Sequence, residues 1–257
     1  METVNSSPRG GRVTVAGIPV DDLSEDEALA VIDKLIESGS PHYMTVVNAA
    51  KLVAANRDER LRQAILESSI VTADGMSVVW ASRLLGRRLR ERVTGIDMFE
   101  RLVGHAAARG LRVFFLGARE QAVRGAVERL KARHPALAVA GYRDGYFAPE
   151  ESEAIAGVIR ESRADLLFVA MGSPAQEDWI RSHLGSTGVR FALGVGGSFD
   201  HLSGLARRAP APFQQAGLEW LYRLAREPRR LWRRYLIGNT LFVWLIAKQT
   251  IKKSGRV

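Results

Sequence analysis

In SIVTADGMSVVW, residues 69–80, a short apolar run ends at Thr72 and a helical pattern begins near Met76. Asp74 lies between them, a lone carboxylate where a strand hands over to a helix. Two readings of it stand side by side. An Asp-Gly pair after a strand makes a turn or caps the next helix. A partly shielded carboxylate in that place also suits a general base that takes the proton of an attacking hydroxyl. Asn48 closes another β-branched run, Tyr43–Val47, and either caps the helix after it or orients a substrate. In GSPAQEDWI, Pro174 suits a helix N-terminus and Glu177 and Asp178 its first turn, while Gln176 can aim its amide at a sugar or phosphate.

The glycines exclude some chemistry. FLGARE around Gly117 and GVGGSFD around Gly196 lack the G-x-G-x-x-G dinucleotide fingerprint with an acid about 20 residues on. GVGGSFD opens no evident helix, and there is no Walker lysine pattern. With no D-x-D triad and no H-x-x-x-H pair, no dedicated metal site and no cofactor are expected. The five histidines read as ordinary surface or core residues, with His201 beside Asp200 the one to watch.

Apolar runs alternating with amphipathic ones must position these groups. Strands are expected at Arg12–Ile18, Tyr43–Val47, Ile70–Thr72, Leu111–Leu116, Leu137–Ala140, Leu166–Ala170 and Phe191–Val195. Helices are expected between them, one opened by the S-x-x-E capping box of Ser24 and Glu27. Strands apolar throughout and separated by helices predict a Rossmann-like α/β fold, a mostly parallel sheet flanked by helices. Ligands of such sheets bind beyond the carboxyl ends of the strands. Asn48, Asp74, Gly117, Tyr146, Gln176 and Asp200 gather there.

Composition bounds the rest. The 257 residues are 46% apolar and hold no cysteine, which suits a globular domain and rules out disulfides and cysteine-built metal sites. METVNSSPRGGR has no apolar core and does not read as a signal peptide. The net charge of +9 is uneven: Gly204–Val257 carries twelve Lys and Arg against two acids, the remainder 25 against 26. The proline-rich RRAPAPF marks a boundary between a catalytic domain, 1–206, and a basic helical appendage, 207–257. Two helices meeting at Pro228 are expected in the appendage, the second placing Leu231, Tyr235, Gly238, Phe242 and Leu245 on one face. Its apolar stretch Leu236–Ala247 is too short for the roughly 20 residues of a membrane span. It suits either the interface of an anionic membrane or packing on the body or another subunit. The arginines among them can form a solvated face or offer forked donors to a diphosphate. They are interleaved with Leu and Trp, which fits lipid better than a nucleic-acid duplex.

Seven segments in series, TADGMSVVWASR, RVTGIDMF, GYF, MGSPAQEDWI, GVGGSFDHLSG, RRAP and GLEWLYRLAREPRRLWRRYL, resemble the WecG/TagA/CpsF family of bacterial glycosyltransferases. The resemblance runs from about Gly11 to Gly238. It implies an inverting, metal-independent transfer from a UDP-sugar to a sugar carried on undecaprenyl diphosphate, in cell-surface polysaccharide or teichoic acid assembly. The enzyme would be cytoplasmic and peripheral on the inner membrane face, with homo-oligomers possible and no nucleic-acid partner. Carried over by motif, Asp74 is the base, and Asn48, Arg92 and Gln176 belong to the catalytic set. Tyr146 and Asp200 lie near the uridine, with Gly117 and Gly196 in the nucleotide-binding loops; Arg223, Arg230 and Arg233 close over the diphosphate. One departure stands out: Val46 replaces the Thr of the family's T-x-N motif, and Thr45, one place earlier, faces the other side of a strand. The donor sugar therefore stays open between N-acetylmannosamine or its uronate and glucose or galactose. A nucleotide-linked oxidoreductase and a nucleic-acid-binding protein are the rival classes.

Overall fold

The computed structural model describes residues 11–206, 209–210, 213, 219–226 and 228–254. Arg12–Val15 (β1) and Ile18–Asp21 (β2) pair antiparallel. The single strand expected over Arg12–Ile18 is thus two, because Ala16 and Gly17 take positive φ (49° and 79°) and turn the chain back. The capping box forms as expected at the start of α1 (Glu25–Glu37): Ser24 Oγ accepts from the Glu27 N–H at 3.1 Å, and Glu27 Oε2 from the Ser24 N–H at 2.9 Å.

The chain then runs β3 (His42–Val47), α2 (Ala49–Ala55), α3 (Glu59–Leu66), β4 (Ile70–Ala73), α4 (Met76–Leu84) and α5 (Gly95–Arg109). It continues through β5 (Arg112–Gly117), α6 (Glu120–Arg133), β6 (Ala138–Arg143), a 3-10 turn at Pro149–Glu151 and α7 (Ser152–Glu161). β7 (Leu166–Ala170), α8 (Ala175–Thr187), β8 (Phe191–Gly194) and α9 (Ser198–Leu202) follow. GVGGSFD therefore does open a helix, a short one that the glycines hide from a propensity reading.

Strands β3 to β8 form one sheet in the order β4-β3-β8-β7-β5-β6, every pair parallel. The inner strands β7 and β8 are covered on both faces, which is why they are apolar and buried at every position. One face carries Met44, Val46, Phe115, Phe168, Phe191 and Leu193 against α1, α5, α6 and α9. At its centre Phe99 meets Phe168 edge-on, ring centroids 4.5 Å apart. Each buried phenyl contributes about 1.5–3 kcal/mol. The other face sets Tyr43, Phe114, Leu167 and Val169 beneath α7 and α8.

The hairpin closes the sheet's outer edge at β4. Buried Asp21 accepts from Arg12 Nε at 2.6 Å and from the Val71 N–H at 2.8 Å, so one carboxylate satisfies an edge-strand donor.

Beyond the sheet, α10 (Glu219–Arg226) and α11 (Pro228–Ser254) meet at Pro228. Phe242 and Ile246 of α11 are buried in a third core with the hairpin, α2 and α4. Gln249 accepts from the Ala16 N–H and donates to the Thr14 carbonyl, both at 2.8 Å. The apolar stretch of the appendage is therefore divided between two environments. One face packs on the body, while Val243 (65% exposed), Trp244 (56%) and Ile251 (72%) look outward. Among the described residues no helix is long and apolar enough to cross a membrane.

Candidate active site

The sheet order sets the sequence candidates along one crest: Asp74 after β4, Asn48 after β3, Gly196 and Asp200 after β8, Gln176 after β7, Gly117 at the end of β5 and Tyr146 after β6. With strands about 4.8 Å apart, Asp74 and the β5 end are separated by four spacings, or about 19 Å. The crest is long enough for an extended ligand.

Asp74 does not cap the helix that follows it, whose N-cap Gly75 has no side-chain bond; it reaches the start of a later one. Its Oδ1 accepts from the Gly95 N–H at 3.2 Å, the first residue of α5, and Asn48 Nδ2 reaches its Oδ2 at 3.5 Å. The carboxylate thus stands at the positive end of a 15-residue helix. It keeps acceptor capacity for a third donor, since an ionised carboxyl has about four lone-pair sites. Asn48 caps α2 as expected: its Oδ1 accepts from the Lys51 N–H at 3.0 Å, which turns its amide N–H₂ toward Asp74.

Arg92 is placed by the segment that returns along β4. Val93 donates to the Ala73 carbonyl at 3.0 Å, Thr72 Oγ1 donates to the Val93 carbonyl, and Thr94 caps α5. Arg90 anchors the same segment on Asp22 and Glu27. The Arg90 guanidinium, first, and the Ser24 N–H hold the Glu27 carboxyl below its ordinary range. Arg92 itself forms a 3.7 Å ion pair with Glu219 of α10. The appendage therefore reaches the crest beside Asp74. The side chains of Arg223, Arg230 and Arg233 lie outside the described residues.

Gln176 is buried, and its amide is engaged within the protein: Oε1 accepts from the Gly196 N–H at 2.9 Å, and Nε2 donates to Glu177 Oε1 at 2.8 Å. Gly194 lies so close that a Cβ there would stand 2.5 Å from Nε2. The side chain holds the β8–α9 turn, in which Gly196 has φ of 55°. The same Glu177 oxygen receives Lys51 Nζ at 2.7 Å, with side chains only 7% and 3% exposed. Its Oε2 is buried with no hydrogen-bond partner among the described residues. This pair joins α2, which starts at Asn48, to α8, which carries Gln176. Sequence reasoning missed it, because Glu177 read as a first-turn acid and nothing local links it to Lys51, 126 residues away.

Gly117 has φ of 121°, and a Cβ there would lie 2.5 Å from the Ala170 backbone, so strand contact alone demands glycine. Tyr146 is exposed at the β6 end, its N–H held by Asp144 Oδ1 at 2.9 Å. Asp200 lies half-buried on α9, three strand spacings from the β6 end in the sheet order. The T-x-N departure has a structural consequence. Val46 packs beneath the α5 start, where a Cβ on Gly95 would meet its Cγ2 at 3.2 Å. Thr45 faces the opposite side and receives the Ser68 hydroxyl at 2.7 Å. The floor under Asp74 and Gly95 is thus apolar.

Ligands of a parallel α/β sheet bind beyond its strand ends, and Asp74, Asn48 and Arg92 lie there. The chain matches the Glycosyl transferase WecG/TagA/CpsF family over residues 13–256 and belongs to it. It is a glycosyltransferase. Among its relatives is the N-acetylglucosaminyldiphosphoundecaprenol N-acetyl-beta-D-mannosaminyltransferase of Bacillus subtilis (strain 168), 35% identical over 82% of this chain and 81% of the relative. The protein of the same name from Bacillus spizizenii (strain ATCC 23059 / NRRL B-14472 / W23) is 38% identical over 76% and 77%. Membership sets the enzyme class as glycosyltransferase in place of the oxidoreductase reading.

Proposed function

We propose that the enzyme moves an N-acetylmannosaminyl-type sugar from a UDP-sugar to a sugar held on a polyprenyl diphosphate, inverting the anomeric carbon. The observation that carries this reading is the Asp74 carboxylate, placed by Gly95 and Asn48 at the strand-end crest with room for another donor. The transferred sugar and the acceptor class come from the names of the relatives, and the UDP carrier from the family resemblance of the motifs. In the reaction the acceptor hydroxyl attacks the anomeric carbon from the face opposite UDP while its proton passes to Asp74. The carbon–oxygen bond to UDP breaks, and the electron pair leaves with the diphosphate. Charge growing there calls for fixed cations. Arginines of the appendage, Arg223, Arg230 and Arg233, supply it in place of a metal, and the Arg92–Glu219 contact supports this by bringing α10, the helix of Arg223, to the crest. The enzyme works at an anionic membrane face, with the outward Val243, Trp244 and Ile251 of α11 at the lipid and Lys248 beside Trp244.

The test is UDP release with EDTA present, from a panel of UDP-sugars and a short lipid-diphosphate-sugar acceptor, with wild type beside Asp74→Asn. One donor should be used without metal, and the variant should lose about 10²- to 10⁴-fold in rate. Release that persists in Asp74→Asn would return the residue to a helix-capping role.

A further inference from the structure

Beside the candidate base lies a surface that this account of the site does not use. α4 begins two residues after Asp74, and Met76, Trp80 and Leu84 follow one another at intervals of four along one ridge. The inner face, Val78, Val79, Ala81 and Ser82, is buried. Met76 is half-buried against the core, and the ridge emerges beyond it: Trp80 is 46% and Leu84 73% exposed. Around it stand Arg83 and, just past the helix end, Arg87 and Arg88, all exposed. Arg90, a little further on, is held by Asp22 and Glu27, whereas among the described residues no ion pair takes up these three.

We infer that the α4 ridge is a second lipid-contacting surface, seated on an anionic bilayer so that the Asp74 loop comes to headgroup level. An exposed Trp-Leu pair ringed by arginines matches the two layers of such a surface, apolar chains below and phosphates above. The alternatives fit less well. A second copy paired through this face would set three arginines against three. A duplex offers phosphates without an apolar layer for Leu84. The nine residues of α4 span about 13 Å at roughly 1.5 Å each, so lipid contact along the helix fixes the height of its first turn. The inference deepens the proposed function and rests on it for purpose, because a lipid-linked acceptor presents its sugar at that level. It adds an attachment point to that proposed for α11.

The chain has no cysteine, so Leu84→Cys in the full-length protein carries an environment-sensitive dye at one place only. With vesicles of equal parts phosphatidylcholine and phosphatidylglycerol, the dye should shift to the blue and be quenched by lipids spin-labelled in their acyl chains. Phosphatidylcholine vesicles alone should have little effect. The triple variant Arg83→Gln, Arg87→Gln, Arg88→Gln should sediment with the anionic vesicles at least tenfold less, each basic residue near such a surface contributing on the order of fivefold. A dye that stays in water while the protein sediments with the vesicles would overturn the inference and leave attachment to α11 alone. A dye signal that grows with protein concentration without lipid would overturn it in favour of a second copy. The two proposals separate cleanly. UDP release failing with every donor sinks the transfer reading and leaves the dye result standing, whereas normal release with a silent dye sinks only the α4 surface.

Discussion

The Lys51–Glu177 pair offers a direct test of how the crest is held. The charges lie 2.7 Å apart with side chains 7% and 3% exposed, and Glu177 Oε1 also receives Gln176 Nε2. Among the described residues Lys51 is the only cation on this carboxylate and Oε2 has no partner, so Lys51→Met leaves the charge uncompensated. Leaving a buried charge uncompensated costs about 3–5 kcal/mol. Glu177→Gln strands the lysine in turn but preserves an acceptor for Gln176, so its cost should be similar or somewhat smaller. In the double variant no charge is buried and the Gln176 contact survives. It should therefore lie within about 1–2 kcal/mol of wild type, because the pair's mutual attraction largely offsets its own desolvation. Urea unfolding of the four proteins, compared at equal slope, gives the coupling, expected at about 4 kcal/mol or more in favour of the pair, the summed single costs less that of the double variant. Additive single costs, with coupling below about 0.5 kcal/mol, would refute the reasoning and mean that water reaches the two groups.

Two further outcomes follow from the geometry. Gly117→Ala combines a positive φ with a 2.5 Å approach to the Ala170 backbone, and should cost about 3 kcal/mol or more in the same denaturation assay. His42 is bonded to Ser38 and Ser69, and burial pushes its imidazole below the ordinary value of 6.5. The unfolded chain therefore takes up this proton first, so stability is full above about pH 6.5 and falls as the pH drops. His42→Gln should flatten that part of a stability–pH curve, and an unchanged slope would assign the loss to other groups.

The strands were legible because a parallel sheet covered on both faces needs unbroken apolar runs; Leu166–Ala170 matches residue for residue. Ser24 and Glu27 announced α1 because a capping box is local chemistry. The β1–β2 turn was missed because VTVAGIPV stays apolar across it, and only Gly17 hinted at the reversal. α5 left a weaker signal still, since its start, RVTGID, reads as loop until Thr94 is seen capping Asp97.

Local pattern by itself determined the α/β class, the strand-end placement of Asp74 and Asn48, the helix break at Pro228 and the basic appendage, because each depends on neighbours a few residues apart. Tertiary structure alone decided that Asp74 meets Gly95 across 21 residues and that Lys51 meets Glu177 across 126. It also turned Gln176 inward and gave α11 one face on the body and one outside. Those contacts follow from the order in which strands pair, and pairing order is set by how the helices cover the whole sheet, which no short stretch of sequence records.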